Sequence, residues 1–489
     1  MEDAIRLVLN GRPMRIADAP PTLTLLEWLR REGLTGTKEG CAEGDCGACT
    51  VAVQRPVGDG LATRALNACI MPLAMAHGAS VVTVEGIAEA GEDGGPHPIQ
   101  REMAGRHASQ CGFCTPGFVM SLWSRPAGAG TGRQALEDRL AGNLCRCTGY
   151  GPILEAAQAS APLTDAARDA GADDALAAAL REIGPLDMTA DGRRAIVPHD
   201  EAAFAAAVAD NPDARIIAGA TDVGLWITKR LYDPQTAIFA GQVAELRRMG
   251  VADGVLTVGG AVTQEEFSGA IRETAPSLAE MMRRFGGLQV RQAGTVGGNI
   301  ANGSPIGDLP PALIAAGATL TLATRDGARD LPLEDFFIEY GKQDRAPGEY
   351  VRSVSVPVEG LARLTCHKVS KRFDSDISAV LGAIALWLED GVVREARIAF
   401  GGMAGTPRRA FGAEVALRGK PYDAAAIRAA QDALDDDFAP LSDLRASAAY
   451  RMTVAKNLLM RDYLERTAPD TPTRLSGRAV DRLAADRAA

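Results

Sequence analysis

The alternation of apolar and polar positions divides the chain before any composition is considered. Arg6-Leu7-Val8-Leu9 runs into Asn10-Gly11, which predicts a strand closed by a tight hairpin turn. Leu25, Leu26, Trp28 and Leu29 form one helical stripe between Thr24 and Arg31, stopped by Gly33. A cysteine- and glycine-rich loop follows, and Cys49 to Val53 reads as a strand. Residues 1–85 are therefore expected to form a small α+β domain. Residues 86–162 change to helical patterning, with Thr115-Pro116 and Gly151-Pro152 opening helices just after two cysteine pairs, and Thr115 as a candidate N-cap.

Residues 163–190 are rich in Ala and Asp, hold no aromatic residue, and read as a linker with a short helix at 174–182. Residues 191–357 read as a second α/β body with long glycine turns. Residues 358–466 read as strands followed by Ala-rich helices, and 467–489 as a polar, disordered tail. No internal repeat is present. The fold class expected is α+β, multidomain, which suits 489 residues.

Composition narrows the functional classes. A formal net charge of −10 without clustered Lys and Arg argues against a nucleic-acid partner. There is no apolar run of membrane-spanning length, and Met1-Glu2-Asp3 does not open a secretory signal. A cytoplasmic protein without a membrane partner is the expectation. Of nine cysteines, all but Cys366 fall between Cys41 and Cys147, and such grouping favours metal or redox chemistry over disulfides.

Cys41, Cys46 and Cys49 are spaced C-x4-C-x2-C, and Cys69 lies further on. This is the plant-type [2Fe–2S] spacing: one loop wraps a cluster with three thiolates and a fourth comes from elsewhere. Gly40, Gly44 and Gly47 allow the tight turns that bring backbone N–H groups toward sulfur. A zinc loop is the alternative, and three cysteines in one loop fit it poorly. Cys111, Cys114, Cys145 and Cys147 form C-x2-C…C-x-C, which serves zinc, dithiols and clusters alike. Helix starts beside anionic thiolates, and the neighbouring iron–sulfur loop, favour a second [2Fe–2S] cluster. His107, His367 and Cys366 are read as structural.

Two glycine turns stand out further on: Arg215 to Gly224, containing Ile216-Ile217-Ala218-Gly219-Ala220-Thr221-Asp222-Val223, and Gln292 to Ile300, containing Thr295-Val296-Gly297-Gly298-Asn299. Neither is G-x-G-x-x-G, so a Rossmann site is not supported. Taken alone they read as strand connections, although backbone amides in such turns can grip a diphosphate.

The runs Gly36-Thr37-Lys38-Glu39-Gly40-Cys41 through Cys49, Gln110 to Gly117 and Gly142 to Tyr150 resemble the iron–sulfur region of the xanthine dehydrogenase family of molybdenum hydroxylases. Asp45 departs from the family's common Gly and leaves every ligand position in place. The resemblance extends over nearly the whole chain and is to the iron–sulfur/FAD subunit of two-chain, bacterial-type members. It implies a β-grasp ferredoxin-like domain and a helical-bundle domain, each with a [2Fe–2S] cluster. An FAD domain of the vanillyl-alcohol-oxidase (PCMH) type and a C-terminal domain of the CO dehydrogenase flavoprotein type would follow.

Several site assignments come from the same resemblance. Ile216 to Val223 and Thr295 to Asn299 would grip the FAD diphosphate. Asp308 and Lys368 would be FAD contacts, with Phe285 near the flavin. Tyr340 and the acidic run at Asp374 and Asp376 fall on the nicotinamide side, and Gln110 would touch the molybdopterin. Electrons would run from a molybdenum centre in a large partner subunit, in an α2β2 assembly, through the second and then the first cysteine group to FAD and NAD. No acid–base pair or nucleophile stands out, and this chemistry asks for none. Rival readings are the same relay in an aldehyde or N-heterocycle dehydrogenase, a free-standing NADH-linked flavoprotein, and a zinc-structured scaffold.

Overall fold

The computed structural model describes residues 1–58, 60–88, 94–168 and 173–473. At the N-terminal end, Ile5–Leu9 and Arg12–Ile16 pair antiparallel, and Asn10 and Gly11 take φ of 47° and 79° at the turn between them. This is the left-handed pair of the sharpest hairpin, which Asn-Gly tolerates best. Ser80–Val82 pairs parallel to Ile5–Leu9, and Thr50–Val57 and Gly60–Asn67 complete a mixed five-stranded sheet. The helix Leu25–Arg31 lies on it. A reciprocal Thr24–Glu27 capping box starts this helix, and it buries Leu25, Leu26, Trp28 and Leu29.

Four helices follow: Pro98–Gly105, Thr115–Trp123, Arg133–Leu140 and Gly151–Arg168. Ile99, Met103, Phe118, Met120, Leu136 and Ile153 fill their centre, and Ala52 and Ile87 of the first domain share that core. Thr115 is not the cap of its helix. Cys114 holds that position without a side-chain bond, and the Thr115 hydroxyl pairs with Ser109 Oγ at 2.7 Å. The helix starts one residue earlier than a Thr cap would set it, because Cys114 is already in helical conformation.

Within 163–190 the described residues form regular elements where a linker was expected. The helix Gly151–Arg168 runs into it, and the helix Asp173–Arg181 packs on the strands Thr50–Val57 and Gly60–Asn67. Leu186–Ala190 is a strand paired with Arg193–Val197. Leu186, Met188 and Ala190 point inward while Asp187 and Thr189 are less buried, which is the period-two alternation of a half-buried strand.

The next body has two sheets. One takes Leu186–Ala190, Arg193–Val197, Thr236–Phe239 and Arg215–Ile217 in that order; the other takes Met249–Ala252, Val255–Gly259, Tyr350–Pro357, Thr319–Ala323 and Ala328–Pro332. The small sheet shares one apolar core with the N-terminal domain, through Ile5, Leu29, Val81, Val197, Ile217 and Phe239. The larger sheet shares its core with the C-terminal unit, through Leu320, Val356, Leu364 and Leu381. That last unit is the antiparallel sheet Leu364–Val369, Val380–Glu389, Val392–Gly401 and Arg408–Arg409, covered by the helices Phe411–Leu417, Ala424–Asp437 and Ala448–Thr467. Burying apolar surface across these junctions ties neighbouring domains together by the force that folds each one.

The expected disordered tail begins at 467, yet Thr473 still donates to Glu465 at 2.8 Å, and residues 474–489 lie outside the described residues. Among the described residues no helix is long and apolar enough to cross a membrane.

Candidate functional site: two cysteine groups and a flavin-sized cleft

The first cysteine loop lies between the helix Leu25–Arg31 and the strand Thr50–Val57. Cys41 and Cys46 are half-buried, and Cys49 and Cys69 are buried. The backbone N–H groups of Glu43 and Cys46 both donate to Cys41 Sγ at 3.4 Å. Asn67 braces the loop by donating to the Gly44 carbonyl at 2.7 Å. The sulfurs meet in a row: Cys46 bonds with Cys41, Cys41 with Cys69, and Cys69 with Cys49. Donation from the Cys46 and Cys69 thiols drives the Cys41 pKa far down, and the same contacts drive Cys46 and Cys69 up. Thiols this close resist ionising together unless a cation lies among them. A donor set of this kind fits an iron cluster, which would let all four ionise.

In the second group Cys111 and Cys147 are exposed, and Cys114 and Cys145 are half-buried. Cys111 bonds with Cys147, and Cys114 with Cys145. Burial, then Cys145, pushes the Cys114 thiol up to about 12. Thr148 turns both its N–H (3.5 Å) and its hydroxyl (3.2 Å) to Cys145 Sγ, and the Tyr150 hydroxyl accepts the Cys145 N–H at 3.0 Å. Among the described residues no three His, Cys, Asp or Glu converge as the ligands of one metal ion. Sulfurs disposed as two pairs suit a two-iron centre, where each iron takes two thiolates. His107 is exposed, and Gln110 is exposed beside Cys111.

The two cysteine loops touch. Leu144 N–H donates to the Cys46 carbonyl at 3.0 Å, and Asn143 donates to the Gly47 carbonyl at 3.1 Å. On its other side the first loop is gripped by the helix Val223–Arg230. Lys229 Nζ reaches the Cys41 carbonyl at 2.5 Å, and Thr228 Oγ1 reaches that of Ala42 at 2.8 Å.

The front of that same helix opens on a cleft of about 740 Å³. Ile216 and residues 218–223 line it from the first glycine turn, Thr295 and residues 297–299 from the second, and Phe285 from between. Ile217 and Val296 are buried beneath these turns. The turns are in contact: a Cβ on Gly219 would stand 2.0 Å from the Ala293 carbonyl oxygen. Thr295 Oγ1 accepts the Gly298 N–H at 3.0 Å and caps the helix Val296–Asn302, so two helix starts face the cleft. Gln264 Oε1 and Asn299 Oδ1, both in the wall, are buried acceptors without a hydrogen-bond partner. Orphaned acceptors, helix N-termini and this volume fit a dinucleotide with a diphosphate and donor groups of its own.

Trp226, Gln264 and Arg345 also line the wall and were not read from the sequence. Gln264 is hidden inside the Thr263–Glu266 capping box, where it looks like an ordinary helix start. Asp308 and Lys368 are not brought to this wall. They form a buried triad with Ser378: Lys368 Nζ lies 2.6 Å from Asp308 and 2.8 Å from Ser378, whose hydroxyl donates to Asp308 at 2.6 Å. Each charge satisfies the other out of water, which a buried pair requires. Tyr340 is 77% exposed on the small hairpin Phe337–Glu339 and Lys342–Gln343, also off the wall. Asp376 accepts the N–H of Arg372 and of Ile377. His367 is buried 3.6 Å from Asp462, and Cys366 is buried with its thiol pushed up by that burial.

Four family models match successive parts of the chain. Residues 7–74 match the 2Fe-2S iron-sulfur cluster binding domain, and residues 83–158 match the [2Fe-2S] binding domain. Residues 191–359 match the FAD binding domain in molybdopterin dehydrogenase, and residues 365–466 match the CO dehydrogenase flavoprotein C-terminal domain. The chain thus joins two [2Fe–2S] domains, an FAD-binding domain and a CO dehydrogenase flavoprotein C-terminal domain.

Proteins similar to this chain include the xanthine dehydrogenase of Emericella nidulans, 32% identical over 94% of this chain and 38% of its own length. Xanthine dehydrogenase 1 of Arabidopsis thaliana is 32% identical over 88% and 37%. Aldehyde oxidase 4 of Cavia porcellus is 30% identical over 94% and 39%. The chain thus spans less than half the length of these relatives. Among solved structures, quinoline 2-oxidoreductase from Pseudomonas putida 86 superposes on 55% of this chain and 94% of its own, with TM-score 0.51 and 27% identity. Carbon monoxide dehydrogenase from Hydrogenophaga pseudoflava superposes over the same shares, with TM-score 0.52 and 28% identity.

Proposed function

We propose that this chain carries electrons from a molybdenum centre on a large partner subunit to NAD, in a xanthine dehydrogenase of α2β2 assembly. The observation that carries the reading is the order of contacts. The second cysteine loop touches the first, and the first touches the helix that fronts the cleft.

Cys41, Cys46, Cys49 and Cys69 would hold one [2Fe–2S] cluster, and Cys111, Cys114, Cys145 and Cys147 the other. Ile216 to Val223, Thr295 to Asn299 and Phe285 would hold FAD. Bound there, the clusters supply one-electron transfer, and the flavin joins it to two-electron exchange with nicotinamide. What the residues do is place and shield. The glycine turns bring backbone amides to the diphosphate position, and the loop N–H groups aimed at Cys41 and Cys145 stabilise charge on sulfur. Asp308 and Lys368 would act by fixing the base of the flavin domain on the C-terminal sheet, since they neutralise each other.

Xanthine as substrate rests on the xanthine dehydrogenases among the relatives. The aldehyde oxidase match favours a second reading, the same relay serving aldehydes or N-heterocycles. The natively purified complex separates them. Iron, flavin and molybdenum are expected together, with NAD reduction on xanthine or hypoxanthine. Reduction on aldehydes alone would select the second reading. A colourless protein holding zinc would overturn both.

A further inference from the structure

Gln289 is a flavin-domain residue, in the helix Leu288–Ala293, and is buried at 1% exposure. Its neighbour Val290 lines the cleft, while its own side chain points the other way, into the two cysteine-bearing domains. The amide nitrogen lies 3.2 Å from Thr50 Oγ1, 3.0 Å from Ser121 Oγ and 3.0 Å from Asn143 Oδ1. Thr50 follows Cys49, Asn143 stands two residues before Cys145, and Ser121 is in the helix that starts after Cys114. The partners are already committed. Thr50 Oγ1 donates to the Gly47 carbonyl at 2.6 Å, and Ser121 Oγ donates to Asn143 at 2.7 Å, which leaves lone pairs for the amide hydrogens.

The main chains around this node meet with no side chain between them. A Cβ on Gly47 would stand 2.2 Å from the Gly142 carbonyl, and one on Gly117 2.2 Å from the Gly47 carbonyl. Gln289 Oε1 is buried without a partner. A leucine would fill similar space without an orphaned acceptor, so packing alone does not account for an amide here.

We propose that Gln289 is a positioning residue: it holds the segments bearing Cys49 and Cys145 in register with the flavin domain, and so sets the geometry of electron transfer between the three centres. The inference rests on the relay reading above and adds a residue that neither ligates a metal nor lines the cleft.

The test uses Gln289→Leu in the native complex. Iron and flavin are expected to stay at wild-type content. The magnetic interaction between the two reduced clusters is expected to change in its electron paramagnetic resonance signal. Transfer from NADH-reduced flavin to the clusters is expected to slow about tenfold, as a small displacement does in preorganised sites. Ser121→Ala removes one acceptor without adding volume, and is expected to shift both readouts in the same direction and less. If Gln289→Leu loses its cofactors, Ser121→Ala alone decides. Wild-type signal and rate in every variant that keeps its cofactors would overturn the inference. A wild-type protein without reducible iron or flavin would instead overturn the relay reading itself.

Discussion

Single buried groups already say how the chain meets acid. His77 Nδ1 accepts the Arg6 N–H at 3.1 Å, so the ring proton is on Nε2, which donates to the Gly184 carbonyl at 2.8 Å. Burial holds its pKa down to about 4, with His199 and Arg55 adding to it against the pull of Gly184. A lowered histidine gives stability that is whole above the ordinary value of 6.5 and is lost as pH falls from there through 4. The loss is on the order of 3 kcal/mol. Thermal melts across that window are expected to show a slope that His77→Gln flattens, and parallel slopes would refute it.

What was legible at this scale was local. The cysteine spacings could be read because each group is set by short loops, and the structure places Cys41, Cys46, Cys49 and Cys69 side by side, and Cys111 beside Cys147 and Cys114 beside Cys145. Gln289 was not legible because its partners are distant in sequence, nor was Gln264, which sits inside a capping box. Asp308 and Lys368 are distant in sequence too, and their mutual pairing appears only when two domains meet.

Among the elements, the helix Val223–Arg230 matters most to the candidate site. Gly224 lies in its first turn, where a Cβ would stand 2.3 Å from the Ile70 carbonyl and 2.7 Å from Ile70 Cβ. Ile70 follows Cys69. Gly224→Ala is therefore expected to lower retained flavin and first-cluster iron together, measured by flavin release and iron analysis. Loss of flavin with full iron would show that the contact does not couple them. The strand Leu186–Ala190 was missed because an Ala- and Asp-rich setting masked its five-residue alternation, and its partner strand decided the matter. The Asn10-Gly11 hairpin and the Thr24 helix start were legible, since each is fixed within a few residues.

Over the whole molecule, shared apolar cores fuse the four domains, while one face stays bare. Phe113 (47% exposed), Leu144 (45%) and Tyr150 (38%) surround the exposed Cys111 and Cys147. Exposed apolar groups clustered at one site mark an interaction surface. In the proposed complex, Phe113→Asp is expected to weaken association with the large partner subunit, seen as an earlier-dissociating complex in size-exclusion chromatography, with flavin and iron retained. Unchanged association would remove this face from the interface.

The grip of Lys229 and Thr228 on the loop at Cys41 and Ala42 bears on maturation. Those two residues and the diphosphate turn stand at opposite ends of one short rigid rod. If the proposed FAD is seated at one end, the sulfur-bearing loop at the other would be steadied through these contacts. An apoprotein loaded first with FAD would then accept its plant-type cluster faster than one offered iron and sulfide first.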